Sequence, residues 1–536
     1  MEPLGRAPSA MWMGALNPRA LSRIQAAVIE TRGAWMFRHG FAFRPITKRA
    51  WLRVLPCLAA FLVVMAGTSR QAMAQVRPAE LKQLVDSYAT NRGFNGVVLV
   101  AQHGRVVYRA AYGLANREWQ VPNAGDAVFR IGSLSKPITA ILVLQLVQEH
   151  KLRLDGTLGE YLPALYGDTP AAAVTVAQLL NHTSGIVDVP SSYDDPWWQT
   201  QARQSFAPQD FAKAWITGTL QSAPGTVWRY NNSGYFLLGL LIEQVTGASY
   251  EANLRSRILD KAGMKHSGLY HASEVIPRLA EGYQTKPDLS LARPMPIDPT
   301  VSFSAAGLYA TVDDLFRLDR ALYGNALLDE RWRQAMWTDY RAEYGYGWGV
   351  EQWHTPSGGT YKVVSHTGSV PGYQSFWLRS EQDESMVVIL DNYWQGETVA
   401  TLGRDLMDVL HGKPVTLARK SLGDLLIPLA LSQGVEGMRR AYEALGANAS
   451  QYDTSERALN TLGYRLLRMQ RVPEAIVVFQ WNAGAHPASA NVHDSLGEAY
   501  RANGQREQAI RSYRKASELA PDDARLRGIL KELGSE

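Results

Sequence analysis

The chain has 536 residues, more than one hydrophobic core usually organises, so at least two folded units and processing segments are expected. Its formal charge of +5 is unevenly placed. Residues 1–74 hold ten Lys and Arg against two Asp and Glu, a net of +8, which leaves −3 for the rest. The part that folds is therefore mildly acidic, and we expect no nucleic-acid partner.

The first recognisable element is a secretory signal within residues 1–74. Basic residues at 48–53 precede an apolar run over 54–67, and an A-x-A cleavage signal follows at 72–74. The run is shorter than the about 20 residues that span a bilayer, so no stable membrane span is expected. We predict export to the periplasm or cell surface, with an uncleaved signal anchor as the alternative. Met36 is an alternative true start.

Cysteine and metal chemistry find no support in the sequence. The only cysteine, Cys57, lies inside the signal segment, so the mature chain has no disulfide and no Cys-based metal site. No H-E-x-x-H pattern and no glycine-rich phosphate loop are present. The sequence therefore implies neither a metal nor an organic cofactor.

The next elements are two pairs of β-rich stretches at opposite ends of a long segment. One pair covers 96–101 and 105–111, and the other covers 375–378 and 386–390. Strands at both ends with helical patterns between them indicate an antiparallel sheet assembled from distant segments. We expect an α/β (α+β) catalytic domain over residues 75–415.

Between the strand pairs stands an S-x-x-K string, Ser133 to Lys136. Apolar residues at helical spacing over 133–150 predict a buried helix that the serine opens, and Pro137 is tolerated because it falls in the first turn. Residues three apart lie on one helix face, so the amine can take the hydroxyl proton. Alone, such a string also arises by chance near solvated helix starts.

Two later strings can complete this site. Tyr230 and Asn232 form a Y-x-N on a loop that enters a helix, and a phenol titrates near neutrality only if a positive neighbour such as Lys136 lowers its pKa. The third string, His-Thr-Gly at 366–368, follows a β-rich stretch. Taken singly, Tyr230 could equally be a buried tyrosine that packs at a helix start.

Three strings in this order resemble the serine β-lactamase/D,D-peptidase superfamily, in its class C β-lactamase-like and penicillin-binding-protein-like branch. An L-L-x-H-T-S-G segment at 179–185 and an S-A-A-G-L-Y turn at 304–309 are similar to family landmarks, and we assign both to scaffolding. The resemblance implies the β-lactamase/transpeptidase-like fold, an antiparallel sheet flanked by helices. It also implies roles for individual residues. These are Ser133 as nucleophile, Lys136 and Tyr230 as proton carriers, the backbone amides of Ser133 and Ser369 as oxyanion hole, and Asn232, His366, Thr367 and Gly368 as substrate-binding residues.

The implied function is an exported serine hydrolase that acts through an acyl-enzyme on an ester, amide or D-amino-acid peptide bond. Its substrate would be a small molecule or a peptide. Many β-lactamases carry lysine where His366 stands, so esterase activity on short acyl esters is expected to exceed β-lactam turnover, with a genuine class C-like β-lactamase as the alternative. Five aromatic residues could line the acyl pocket or belong to the core: Trp197, Trp198, Tyr344, Tyr346 and Trp348.

The C-terminal part, residues 425–536, repeats every 34 residues. The positions that recur are Leu462-Gly463, Ala475, Phe479 and Pro487, then Leu496-Gly497, Ala509, Tyr513 and Pro521. This period and pattern are typical of tetratricopeptide repeats, so an all-α helical array is expected, with a degenerate leading unit over 434–448. The array is interpreted either as a stabilising helical cap or as a groove for a protein partner. The alternative from another functional class is an exported interaction protein, in which the repeats bind the partner and the hydrolase fold serves as a platform.

Overall fold

A computed structural model describes residues 78–534 except 191, 192, 194, 357 and 395–397. All of these residues belong to one compact unit. The signal peptide and the alternative start lie outside the described residues. Within the described part, no helix is long and apolar enough to cross a membrane.

The centre of the fold is a six-stranded antiparallel sheet. Its strands are β1 (Gly96–Gln102), β2 (Arg105–Ala111), β3 (Gly349–His354), β4 (Thr360–Val370), β5 (Tyr373–Ser380) and β6 (Ser385–Asp391). Their spatial order is β3-β4-β5-β6-β1-β2, so the two ends of the segment meet where β1 pairs with β6. The expected sheet built from distant strand pairs is confirmed.

Burial explains the strand sequences. The central strands β1 and β6 are covered on both faces and read as continuous apolar runs. The edge strand β2 is only half-buried and carries the exposed Arg105 and Arg109, which discourage pairing with another chain. One face of the sheet packs against helices α1 (Pro78–Arg92) and α4 (Thr398–Leu410).

The opposite face packs against a helical lobe that holds helices α2 (Ser135–Gln148) and α3 (Asn232–Thr246). A 3-10 turn, Gly132–Leu134, precedes α2, so the helix predicted from Ser133 begins two residues later in regular form. Every residue of α2 up to Val147 is buried. The other helices before the repeats are Leu158–Tyr161, Pro163–Tyr166, Val176–Leu180, Pro196–Gln199, Pro208–Trp215, Tyr250–Leu254, Asp260–Ala262, Phe303–Ala306, Val312–Ala321 and Glu330–Met336.

Short strands complete the lobe. Three of them form a small sheet in which the central strand, Leu308–Ala310, pairs with Phe129–Arg130 and with Gly268–Leu269. Its strand Phe129–Arg130 ends one residue before Gly132–Leu134, the turn that carries Ser133. The remaining short strands are Leu114–Asn116, Val121–Pro122, Tyr283–Thr285, Leu291–Ala292 and Tyr393–Trp394.

The C-terminal array is helical, as predicted. Its helices are α5 (Leu422–Ala444), α6 (Glu456–Arg468), α7 (Val472–Ala485), α8 (Ala490–Ala502), α9 (Arg506–Leu519) and α10 (Ala524–Glu532). The glycines of the repeat let paired helices approach closely, since a Cβ on Gly463 would lie 2.5 Å from the ring of Phe479. The degenerate leading unit predicted over 434–448 stays a prediction; this segment begins at Gly434, where the helical backbone of α5 breaks, and runs past the end of α5.

The repeats contact the sheet-bearing part of the chain. Arg92 at the end of α1 pairs with Asp453 at 2.5 Å, just before α6. Leu289 packs against the apolar cluster of the first repeat helices. The array therefore shares packing with the rest of the molecule instead of extending freely. The boundary between residues 415 and 425 stays a prediction.

Candidate active site

The S-x-x-K string brings its two polar side chains together. The Nζ of Lys136 lies 3.1 Å from the Oγ of Ser133, in hydrogen-bond contact. Ser133 is partly exposed, whereas Lys136 is fully buried in the first turn of α2. A reachable hydroxyl beside a buried amine is the arrangement that nucleophilic catalysis by serine requires.

The surroundings of Lys136 contain mostly neutral partners. Its Nζ donates to the Oδ1 of Asn232 at 2.8 Å and to the carbonyl oxygen of Ala305 at 3.1 Å. Burial lowers the pKa of Lys136 to about 7, and the charge of Asp188 opposes this shift. The amine can therefore exist as a free base near neutral pH, which an exposed lysine cannot do.

Tyr230 lies over the same pair of residues. Its side chain lies beside that of Ser133, and the Lys136 Nζ lies 4.8 Å from the centre of its ring. Burial raises the pKa of Tyr230 above its usual value, and the neighbouring Ser133 offsets only part of this. The expectation that Lys136 lowers this pKa toward neutrality is therefore wrong for the free site. Burial disfavours the charged form of Tyr230, so the free site is expected to hold it as a phenol.

The third string lies on β4 against the turn that carries Ser133. A Cβ on Gly132 would meet the backbone nitrogen of Ser369 at 2.6 Å, and a Cβ on Gly368 would meet the carbonyl oxygen of Ile131 at 2.1 Å. Gly132 also has a φ of +54°, which favours glycine. These two glycines let the backbone at Ser133 approach the backbone at Ser369, as an oxyanion hole built from both amides needs.

His366 is buried and neutral beside this turn. Its Nδ1 contacts the carbonyl oxygen of Thr367 at 2.5 Å, and its Nε2 lies 3.0 Å from the hydroxyl of Tyr344. These two contacts fit a His366 tautomer in which Nδ1 donates to the Thr367 carbonyl oxygen and Nε2 accepts from the Tyr344 hydroxyl. Burial, with a contribution from Lys136, lowers the pKa of His366 to about 3. Thr367, the next residue, is exposed and faces away from this core.

The two landmark segments hold the site residues in place. The backbone N–H of Asn231 donates to the Nδ1 of His182 at 3.2 Å, and the His182 ring centre lies 4.4 Å from that of Tyr230. The Ser-Ala-Ala-Gly segment supplies the Ala305 carbonyl that accepts from Lys136. Both segments therefore contact residues of the predicted site, and their scaffolding role stays a prediction.

Asp188 is a site residue that the sequence patterns did not reveal. Its carboxylate accepts from the backbone N–H groups of Asn232 and Ser233 at 2.9 and 2.8 Å, at the start of α3. It also accepts from the Ser233 hydroxyl at 2.6 Å. The helix dipole favours a carboxylate at a helix N-terminus. Here the Asp188 carboxylate fixes the position of Asn232, whose side chain accepts a hydrogen bond from Lys136. A lone aspartate three residues after the H-T-S-G segment carries no motif that could have pointed to this role.

The five aromatic residues divide between site and core. Tyr344 reaches the site through His366, while Trp348 packs against Trp377 inside the sheet–helix core. Trp197 packs on Trp215 in the helical lobe. Trp197 and Trp348 are therefore core residues, whereas Trp198 packs on Tyr193 and Tyr346 stacks on Tyr340.

Known proteins match this chain in two places. The family model for β-lactamase matches residues 81–411, more than half of the chain. The chain belongs to the β-lactamase family, and it is a serine hydrolase. A tetratricopeptide repeat model matches residues 490–523, which confirms one unit of the predicted array. The fold prediction is confirmed as well.

Three proteins similar to this chain carry names that describe different activities. Penicillin-binding protein 4* of Bacillus subtilis is 28% identical over 340 residues, which cover 60% of this chain and 73% of that protein. Teichoic acid D-alanine hydrolase of Staphylococcus aureus is 28% identical over 259 residues, 46% of this chain and 60% of that protein. A crystal structure of D-amino acid amidase from Ochrobactrum anthropi, complexed with L-phenylalanine amide, matches with a TM-score of 0.51 at 25% identity, over 62% of this chain and 96% of that one.

Proposed function

We propose that the protein is an exported serine hydrolase that cleaves an ester or amide bond through an acyl-enzyme on Ser133. The observation that carries the proposal is the 3.1 Å contact between the Ser133 hydroxyl and the buried amine of Lys136. With a pKa of about 7, this amine can accept the serine proton at neutral pH. Asn232 fixes the amine in that position through its side-chain oxygen.

Acylation then proceeds with a full proton balance. Neutral Lys136 takes the proton of Ser133 as its Oγ attacks the substrate carbonyl carbon, and the amides of Ser133 and Ser369 hold the oxyanion. The bond to the leaving group breaks, and the Tyr230 phenol gives its proton to the departing oxygen or nitrogen. The acyl-enzyme is left beside a Lys136 ammonium and a Tyr230 phenolate, which stabilise each other.

Deacylation restores both groups. The Tyr230 phenolate takes a proton from the attacking water, and the Lys136 ammonium returns its proton to the Ser133 oxygen as the acyl group leaves as a carboxylic acid. A phenol whose pKa is raised in the free site suits this cycle, because it starts as an acid and becomes a strong base only after acylation.

We infer that the acyl donor is a D-amino-acid ester or amide in preference to a β-lactam. Two of the relatives carry a D-amino acid in their names, the teichoic acid D-alanine hydrolase and the D-amino acid amidase. The neutral His366 offers no positive charge to the carboxylate that a β-lactam carries. A genuine β-lactamase is the second candidate function.

The test combines labelling with turnover. A fluorophosphonate should add one adduct to the wild type, seen by intact-protein mass spectrometry, and none to Ser133→Ala, with Ser256→Ala as a control that keeps the adduct because Ser256 is an exposed helix residue. Hydrolysis of D-alanine p-nitrophenyl ester should exceed that of its L enantiomer and of a chromogenic cephalosporin. Efficient cephalosporin turnover would favour the β-lactamase instead, and no adduct would overturn the enzymatic proposal.

We also propose that the tetratricopeptide array binds a protein partner, as repeats of this family suggest. Truncation before residue 425 tests this against the stabilising-cap interpretation. A docking array leaves turnover of small esters intact when it is removed and abolishes partner capture. A cap instead lowers the thermal stability of the hydrolase, since Arg92 and Leu289 lose their contacts with the repeats.

A further inference from the structure

His182 stands just after the short helix Val176–Leu180, in the left-handed backbone region, with a φ of +61°. Among residues with a side chain, Asn, Asp and His adopt this region most readily, and glycine tolerates it without strain. The Thr183 N–H donates to the carbonyl oxygen of Gln178 at 2.9 Å, a bond of the kind that ends a helix. The chain therefore leaves the helix at His182.

His182 binds the backbone on both sides of Tyr230. Its carbonyl oxygen accepts from the N–H of Arg229 at 2.9 Å, and its Nδ1 accepts from the N–H of Asn231 at 3.2 Å. One residue thus fixes the peptide groups before and after Tyr230. It thereby fixes the direction in which the Tyr230 side chain leaves the backbone.

The imidazole of His182 also packs against the Tyr230 ring. The two ring centres lie 4.4 Å apart, and those of Tyr344 and Tyr235 lie 4.8 and 5.2 Å from the same imidazole. Only 1% of His182 is exposed, so its ring is enclosed by aromatic neighbours. Loss of this ring would leave Tyr230 room to move.

The hydrogen bond from Asn231 sets the state of the imidazole. A ring nitrogen that accepts carries no proton, so in the neutral ring the proton is on Nε2. Burial lowers the pKa of His182 well below its usual value, which keeps the ring neutral. Among the described residues, this Nε2 has no hydrogen-bond partner. An apolar side chain would pack here without a buried unpaired donor, so the acceptor at Nδ1 is what a histidine adds.

We propose that His182 is a positioning residue, which holds the Tyr230 phenol beside Ser133 through its carbonyl oxygen, its Nδ1 and its ring. The inference rests on the proposed function, in which this phenol gives its proton to the leaving group. A general acid acts only within hydrogen-bond reach of the atom that it protonates. A phenol released from His182 protonates basic leaving groups less often, whereas leaving groups that need no proton are affected little.

Two esters with the same acetyl group test the inference. The p-nitrophenolate ion leaves without an acid because its nitro group delocalises the negative charge, whereas the phenolate of phenyl acetate is more basic and gains from protonation. The measured quantity is the kcat/KM of phenyl acetate divided by that of p-nitrophenyl acetate. Both constants come from one preparation, so the fraction of folded protein cancels. A loss of stability alone therefore leaves this ratio unchanged.

Two variants that tolerate the left-handed backbone isolate the side chain. His182→Gly removes the acceptor and the ring, so the ratio should fall by about 10- to 100-fold, part of what a general acid contributes. His182→Asn keeps an acceptor oxygen close to the position of Nδ1 and should retain part of the ratio. His150→Gly is the matched control, because His150 is an exposed histidine with a φ of +57° after α2. It should keep the wild-type ratio.

Tyr230→Phe distinguishes a failure of the inference from a failure of the proposed function. This variant lacks the phenol proton, so its ratio should fall at least as far as that of His182→Gly. An unchanged ratio in His182→Gly beside a lowered ratio in Tyr230→Phe would overturn the inference alone. An unchanged ratio in Tyr230→Phe, or no hydrolysis that depends on Ser133, would overturn the proposed function itself.

A double-mutant cycle covers the case in which His182→Gly fails to fold. His182→Asn should lower the ratio in the otherwise wild-type chain but not in the chain that carries Tyr230→Phe, where no phenol is left to position. The same fall in both chains, or no fall in either, would contradict the positioning role.

Discussion

Lys136 and Arg379 are both buried cations, yet their surroundings differ in one respect. Arg379 bonds to a buried carboxylate, that of Asp319, and its pKa is raised above its usual value. Lys136 bonds to a serine, an amide and a carbonyl, and burial lowers its pKa to about 7. A buried cation with a paired anion stays charged and holds the fold together. A buried amine with neutral partners can give up its proton and do chemistry.

Replacing the lysine should have the largest effect on activity. Lys136→Met removes the base that accepts the Ser133 proton, so kcat/KM for an activated ester should fall by roughly 10²- to 10⁴-fold. Steady-state kinetics and the rate of fluorophosphonate labelling measure this loss. A variant that labels at the wild-type rate would show that Lys136 is not the base.

The same variant should be more stable than the wild type near neutral pH. The folded-state pKa of Lys136 is depressed to about 7 from 10.5, so the folded protein binds fewer protons than the unfolded chain between these values. Stability of the wild type therefore rises with pH across that window, and the burial cost is largest below about pH 7. Lys136→Met lacks this cost, so its advantage in urea unfolding should shrink as the pH approaches 10.5. An advantage that is constant with pH would contradict the lowered pKa.

Replacing Arg379 should instead lower the stability of the fold and leave the activity unchanged. Arg379→Met leaves buried Asp319 with Arg320 as its remaining ion partner, so the free energy of unfolding should fall, but by less than the about 3–5 kcal/mol of a fully unpaired buried charge. Activity per folded molecule should not change, since the pair lies between β5 and the helix Val312–Ala321 and touches no site residue. Arg379→Met with Asp319→Leu is the matched control, because it removes both charges and should recover much of the stability.

Asp188 offers a finer test of how the lysine is tuned. The Asp188 charge stabilises the Lys136 ammonium and so raises its pKa against burial. Asp188→Asn should lower that pKa further and move the acidic limb of the kcat/KM profile to lower pH. Ser233→Ala removes one hydrogen bond to the same carboxylate but keeps the charge, so its limb should not move. A limb that moves equally in both variants would assign the effect to helix position instead of charge.

Sequence patterns predicted the parts of this molecule that depend on local spacing. The strand pairs could be predicted from short β-rich apolar runs, and the repeat from residues that recur every 34 positions. The Ser133–Lys136 contact followed in the same way, since three residues of helix bring the two side chains together. The pKa of Tyr230 could not be predicted, because it depends on burial by residues far away in the chain. Asp188 was missed for the same reason, because its partners Asn232 and Ser233 meet it only in the folded protein.

The last prediction concerns the repeats, which pack tightly but contain none of the predicted site residues. Gly463→Ala puts a methyl group 2.5 Å from the ring of Phe479, so the repeat helices must shift at a cost of about 1–3 kcal/mol. Gly484→Ala, on α7, meets nothing within 4 Å and should stabilise the array by up to about 1 kcal/mol through helix propensity. Thermal unfolding followed by circular dichroism separates the two. Ester hydrolysis should stay at the wild-type rate in both, because neither glycine contacts the residues around Ser133. A loss of hydrolysis in Gly463→Ala alone would mean that the array supports the active site.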